Sequence, residues 1–326
     1  MSKFGWAFIG CGDIANTTAK EVVKSDTCFV ASALSRSLEK AKAFTKRYGG
    51  NPYTDFEEMI NDPNVDGVYI ALPHDMHAEY MEKCIKHHKP VLCEKPFTIN
   101  AKEAEYVLNL AKKEGVYVTE AMWTWHNQVA LKVKEWINKK MVGEIKEVNL
   151  AFAYPITISG KDRLTNPARA GGALLDIGIY GIRYSLELFG MPKEVKSVGR
   201  LNDGIDLGEN VDLIYDNFVV HCVFAMDKLI GGKLVIEGSE GKIIVPPAFH
   251  ASKSARLTGK NKDKIKVNDL LYERQFSNVA NEIKEGLKES KIITNENVIN
   301  CLEIMDECRR QMELIYPNED INMYNM

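Results

Sequence analysis

Three short stretches of this chain hold residue types that do chemistry when a fold sets them against a ligand. In Cys93-Glu94-Lys95-Pro96 a carboxylate and an ammonium stand together directly after an apolar run. If that run is a strand of a parallel sheet, the pair lies at a C-terminal strand edge, where open α/β sheets keep their ligand crevice. A solvated loop is the plainer alternative. In Gly171-Gly172-Ala173-Leu174-Leu175-Asp176-Ile177-Gly178-Ile179-Tyr180, Asp176 and Tyr180 are spaced to share one face of a helix. A tyrosine beside a carboxylate is a proton-donor arrangement, although the same glycines suit a packing turn with Asp176 as a buried acceptor.

The third stretch, Gly10-Cys11-Gly12-Asp13-Ile14-Ala15, lies between a strand-like and a helix-like segment. Gly10 permits a tight turn, Gly12 lets a pyrophosphate approach the main chain, and the small Ala15 lets helix and strand pack. The helix start at Asp13 and Ile14 then faces the anion. A plain glycine turn of another α/β fold is the alternative. The next strand ends in Leu34-Ser35-Arg36-Ser37, where a free ribose 2'-hydroxyl would call for a carboxylate. The Arg36 guanidinium with the Ser35 and Ser37 hydroxyls suits a 2'-phosphate, so NADP is favoured over NAD. A helix cap at Ser37 with Arg36 in water is the competing account.

Positioning these residues takes a scaffold, and one is visible in the hydrophobic spacing. Gly5–Ile9, Phe29–Leu34, Val65–Leu72, Val91–Glu94 and Val116–Thr119 read as strands. Ile14–Lys24, Leu38–Tyr48, Asp55–Asn61, Ala78–His88 and Ala101–Glu114 read as helices between them, with Thr54–Glu57 as a capping box. Alternation of this kind, with continuous apolar strands, makes a parallel sheet covered on both faces. After about Met122 the rhythm changes. Lys146–Phe152, Val195–Arg200, Val211–Tyr215, Phe218–Met226, Lys233–Glu237 and Lys242–Val245 are successive strands, with turn signals at Asp216-Asn217 and Ser239-Glu240-Gly241. A helix over Asn297–Ile315 closes the chain, and Lys260–Lys264 reads as an exposed loop. The expected class is α/β: a Rossmann parallel sheet over residues 1–122, then an α+β substrate domain over 123–326 built on a large, mostly antiparallel open sheet.

Composition removes several functions. With 42 Lys+Arg against 45 Asp+Glu there is no basic field to hold nucleic acid or an anionic membrane. No apolar run reaches the ~18 residues of a membrane span and the start is unlike a signal peptide, so a cytoplasmic protein is expected. Seven scattered cysteines form no C-x-x-C pair, which indicates neither a disulfide framework nor zinc. His74 and His77 could make half a metal site, with no set to complete it. No metal is expected.

Taken in order and spacing, the Gly10–Ala15 turn, Pro73-His74-Asp75-Met76-His77, Glu94-Lys95-Pro96 and Gly171–Tyr180 resemble the Gfo/Idh/MocA oxidoreductases over nearly the whole chain. Glu120-Ala121-Met122-Trp123-Thr124 and the terminal tyrosine are most similar to the dimeric dihydrodiol dehydrogenase branch. The chain departs from that branch at Trp125, followed by His126, where arginine is common. The resemblance implies that Lys95 is the catalytic lysine, Tyr180 the general acid/base and Asp176 the carboxylate that positions them. It puts Leu72, Pro73, His74, His77 and Glu94 by the nicotinamide end of the cofactor, Arg163 within reach of the carboxamide, and Trp123 and Phe152 in the substrate pocket.

The function so implied is NADP-dependent interconversion of a secondary alcohol and a carbonyl on a sugar, polyol or dihydrodiol, by a homo-oligomer, most simply a homodimer. Two other expectations stay open: a non-enzymatic dinucleotide-dependent metabolite sensor, and an oxidoreductase that retains its nucleotide between two substrates.

Overall fold

The computed structural model describes residues 2–156, 163–268, 270–317 and 319. The chain divides into two compact units. The first contains 1–98, 102–126 and 270–298, and the second 99–101, 127–269 and 299–326. The division at 1–122 and 123–326 lacks this return of 270–298 to the first unit.

In the first unit, β1 (Phe4–Ile9), α1 (Asp13–Val22), β2 (Cys28–Leu34), α2 (Leu38–Tyr48), β3 (Asn51–Tyr53), α3 (Phe56–Ile60), β4 (Gly67–Ile70), α4 (His77–Lys86), β5 (Val91–Glu94), α5 (Ala101–Glu114) and β6 (Val118–Ala121) alternate. The strands form a parallel sheet in the order β3-β2-β1-β4-β5-β6. The order reverses between β1 and β4, which opens the crevice at their C-terminal ends. Both faces are covered, as the continuous apolar strands require: every residue of β1 is buried. Strand β3 was not anticipated, because three residues including Pro52 give no periodicity. The cap of α3 is Asp55, whose side chain accepts from Glu58 N–H at 3.0 Å, in place of the Thr54 of the expected capping box.

The second unit holds α6 (Gln128–Asn138), β7 (Ile145–Ala153), α7 (Ile179–Phe189), β8 (Glu194–Asn202), β9 (Ile205–Ile214), β10 (Val219–Ala225), β11 (Leu234–Gly238), β12 (Gly241–Val245), β13 (Ser254–Gly259) and β14 (Asp263–Lys266). Then α8 (Glu273–Lys284) returns to the first unit and α9 (Asn295–Gln311) follows. The eight strands lie in the order β14-β13-β12-β11-β7-β10-β9-β8, antiparallel except where β7 and β10 run parallel. Both hairpins signalled by turn residues are present, β9–β10 across Asp216-Asn217 and β11–β12 across Ser239-Glu240. Lys260–Lys264 is corrected from a loop: its last residues open β14, an edge strand whose lysines leave it too polar to read as one. Helix α9 buries Val298, Cys301, Leu302, Ile304, Met305 and Cys308, as the stripe predicts, but ends before Ile315, which is exposed.

Six of the seven cysteines are buried thiols and Cys11 is half-buried. No helix of the described residues is long and apolar enough to cross a membrane. No group of three or more His, Cys, Asp or Glu among them is placed to hold a metal ion.

Candidate active site

The two glycines of the first turn serve different purposes. Gly10 stands at φ +101°, and a Cβ there would come within 2.4 Å of the Ala71 carbonyl oxygen, so the fold itself demands glycine. Gly12 has an ordinary backbone (φ −78°, ψ −170°), and a Cβ there would meet nothing within 4 Å. The space before it is open. It is the N-cap of α1 with no side chain bonded to the helix start, which leaves the main-chain N–H groups of that turn to an anion. Asp13 is exposed and Ile14 half-buried beside it. An open glycine cradle at an uncapped helix start, on the switch point of a parallel sheet, fits the pyrophosphate of a dinucleotide.

At the end of β2, Ser35 is half-buried and Arg36 exposed. Ser37 caps α2, accepting from Lys40 N–H at 3.3 Å while its hydroxyl donates to Glu39 Oε2 at 2.7 Å. The capping account therefore holds for Ser37, and Arg36 and Ser35 remain the groups open to a ribose phosphate.

The C-terminal ends of β4 and β5 carry the rest of this half. Glu94 is buried at the end of β5; one carboxylate oxygen accepts from Tyr69 O–H and the other from Lys95 N–H at 3.3 Å. Burial first, and then the Glu94 charge, push the Tyr69 phenol well above its usual range, so it stays a donor. Lys95 is half-buried, and its bond to Pro96 is cis. His77 is fully buried: its Nδ1 lies 2.8 Å from the Pro96 carbonyl and its Nε2 3.0 Å from the Leu72 carbonyl. It thus ties the Leu72-Pro73-His74 turn to the segment that carries Lys95. His74 is buried beside it, the two rings 5.9 Å apart.

Trp123 is buried against Tyr272, with ring centroids 4.8 Å apart, and Trp125 and His126 are buried with it. Burial drives the His126 imidazole down to about 3, so it is neutral near pH 7, and its Nδ1 accepts from Asn278 Nδ2 at 3.1 Å.

In the second unit, Asp176 sits in a π-helical turn, Leu174–Gly178, that leads directly into α7. Single π-turns are frequent at functional sites because they redirect side chains. Asp176 accepts from Tyr154 O–H at 3.2 Å and pairs with Arg163 Nη2 at 3.4 Å. Tyr180, buried one helical turn later, lies among aromatic rings: Phe152 at 6.1 Å and His250 at 4.6 Å. His250 also stacks on Phe152 at 4.2 Å. The expected residues Asp176, Tyr180, Arg163 and Phe152 are therefore neighbours. Two others were missed. Tyr154 lies two residues beyond Phe152, a spacing that strand alternation could have signalled, whereas His250 is in a single 3-10 turn, Phe249–Ala251, with no sequence signal.

A doubly wound parallel sheet that presents such a glycine cradle at its switch point defines a dinucleotide-binding Rossmann unit, here joined to a second unit carrying a tyrosine and a carboxylate on one helix start. The family model described as "Oxidoreductase family, NAD-binding Rossmann fold" matches residues 4–122, and the GFO/IDH/MocA C-terminal domain matches 130–244. The chain belongs to the Gfo/Idh/MocA oxidoreductase family. It is 30% identical to scyllo-inositol 2-dehydrogenase (NADP(+)) of Bacillus subtilis (strain 168) over 96% of this chain and 98% of that one. It is 27% identical to trans-1,2-dihydrobenzene-1,2-diol dehydrogenase of Mus musculus, again over 96% and 98%. The crystal structure of aldose-aldose oxidoreductase from Caulobacter crescentus superposes with a TM-score of 0.87 at 21% identity, covering 96% of this chain and 98% of that one.

Proposed function

We propose that this oxidoreductase uses NADP to interconvert a secondary alcohol and a carbonyl on a sugar, polyol or dihydrodiol, with Tyr180 and Lys95 handling the proton. The observation that carries this is the position of Lys95 at the end of β5, on the same C-terminal strand edge of the parallel sheet as the open Gly12 turn. The substrate class is supported by the names of the relatives, an inositol dehydrogenase stated to use NADP(+) and a dihydrodiol dehydrogenase.

Gly12 and the start of α1 hold the pyrophosphate, Arg36 and Ser35 the 2'-phosphate, and Leu72, Pro73, His74 and Glu94 border the nicotinamide. When bound, the nicotinamide supplies or accepts the hydride. The chain's own residues manage orientation and one proton. In the reducing direction Tyr180 donates to the developing alkoxide. A free tyrosine ionises near pH ~10, so a cation is needed to favour the phenolate, and Lys95 is the cation assigned to it. Asp176 is held by Tyr154 and Arg163, which keeps its carboxylate oriented one turn before Tyr180. Phe152 and His250 make the aromatic wall against which a sugar or diol ring lies.

Cofactor choice gives one test. Arg36→Ala weakens NADP binding by about 1 to 3 kcal/mol and leaves NAD nearly unaffected, because a bidentate guanidinium–phosphate pair is lost and nothing else. Titration calorimetry with both cofactors checks it, and equal losses reject the assignment.

Assembly gives another. On the face of the large sheet opposite its core, Val198 of β8 is 74% exposed, and Val223 of β10 and Val235 of β11 are half-exposed. A second copy of the chain is the partner that this face fits, in a homodimer. Light scattering at micromolar concentration should give twice the mass of one chain; a monomer contradicts the assignment.

A further inference from the structure

Strand β9 is bulged. Its pairing with β8 runs from Arg200 opposite Gly208 to Leu201 opposite Asp206, leaving Leu207 outside the register. In an unbroken strand Asp206 and Glu209 would point to opposite faces. The extra residue brings both to the inner face, where they are 0% and 1% exposed and their carboxyl groups lie beside each other.

One oxygen of each is satisfied by a donor: Asp206 Oδ2 by Leu174 N–H at 2.7 Å and Glu209 Oε2 by Ser197 O–H at 3.3 Å. Asp206 Oδ1 and Glu209 Oε1 complete no hydrogen bond among the described residues, although the Ala173 and Asp206 N–H groups also face the Asp206 carboxyl, and no described cation pairs with either. The other groups facing the pair are Cys222 of β10, Cys308 of α9 and Tyr316 beyond it. Burial pushes all three up, so they too are neutral near pH 7. Two adjacent carboxylates away from water are not both ionised, because the charge of each opposes that of the other and ionised they have no hydrogen to place between them.

We propose that Asp206 and Glu209 share one proton at neutral pH, and that this acid pair is the positioning device for the helix start that carries Asp176 and Tyr180. The link is direct. Asp206 Oδ2 holds the first N–H of the π-helical turn, and Gly172 is pressed against Oδ1 so closely, at φ +130°, that a Cβ would lie 2.0 Å from it. An ionised Glu209 would push Asp206 against this glycine and release the Leu174 N–H. The positioning half rests on the assignment of Tyr180 as the acid; the shared proton does not.

Infrared difference spectra test the proton without substrate. The wild type near pH 7 should show a protonated-carboxyl C=O band that disappears in Glu209→Gln and in Asp206→Asn; a spectrum without that loss overturns the proposal. Because the acid form is favoured by folding, the stabilisation is present at low pH and lost as pH rises through the raised value in the folded protein. The melting temperature of the wild type should therefore fall relative to Glu209→Gln as pH rises above the ordinary carboxyl range of about 4, and parallel curves count against a shared proton.

For positioning, Glu209→Ala lowers kcat about tenfold with NADPH affinity kept within about twofold, and Glu209→Gln, which restores an N–H donor, recovers most of the loss. Unchanged kcat in Glu209→Ala alongside an inactive Tyr180→Phe overturns the positioning role. An active Tyr180→Phe instead fails the assignment of the acid, a separate and distinguishable result. Asp206→Asn, which keeps an acceptor for Leu174, serves where Glu209→Ala does not fold.

Discussion

Tyr180→Phe and Lys95→Met each lower turnover by about 100-fold or more, and the double variant is little worse than the poorer single one. Tyr180→Phe removes the donor and keeps the ring, so its tilted ring contacts with Phe152 and His250 survive and folding is spared. Lys95→Met removes the charge at similar length from a half-buried position. Because both residues act on a single proton, removing the second after the first takes away a step already lost, and the two free-energy changes do not add. The measurement is turnover of the two single variants and the double with a panel of inositols, sugars, dihydrodiols and dicarbonyls, with NADPH affinity read separately by fluorescence. Affinity within a few-fold of wild type shows that the loss is chemical. Near-normal turnover in Tyr180→Phe makes the tyrosine a packing residue, and fully additive losses assign the two residues to different steps.

Gly12→Val separates the needs of the fold from those of the ligand. The backbone there is one that valine adopts, and the added atoms enter open space. The poorer helix cap costs about 1 kcal/mol, partly offset by the reduced freedom of the unfolded chain, so the melting temperature falls by no more than about 3 °C. The same atoms occupy the place a pyrophosphate must take to reach the helix start. NADP(H) affinity should fall by about 100-fold or more, roughly 2.7 kcal/mol. Calorimetry for folding and a nucleotide titration check both halves. A variant that binds normally removes the pyrophosphate from this turn. Gly10→Val, by contrast, meets the Ala71 carbonyl and should lose the fold first.

What was legible in the sequence was whatever repeats or has a fixed local cause. The β-α alternation, the glycine turn, the two hairpins and the stripe of α9 each follow from periodicity or turn chemistry, and each is present. Elements without an intrinsic signal were not. Strand β3 is too short, β14 is lysine-rich because it is an edge, and α8 is polar over much of its surface although Phe276, Val279 and Ala280 are fully buried. Asp176 follows from its helical spacing to Tyr180, whereas Phe152 and Arg163 come from a family resemblance, and the contacts of Phe152 with Tyr180 and of Arg163 with Asp176 are long-range events of folding. Asp206 and Glu209 show the limit most clearly. Their spacing reads as opposite faces of a strand, and only a bulge, invisible in residue types, joins them.

The return of residues 270–298 to the first unit bears on how the protein is made. Phe276 packs against Tyr69 at 4.9 Å, Trp6 at 5.6 Å and Phe8 at 5.9 Å, in the same cluster as Val30 and Leu92. The parallel sheet emerges early from the ribosome, yet one wall of its core is encoded more than 150 residues later. During synthesis at about 5–20 residues per second, the nascent sheet waits on the order of ten seconds with aromatic side chains uncovered. The core of the amino-terminal segment is thus complete only once residues 270–298 have been made, which puts its aggregation-prone interval during synthesis rather than after release.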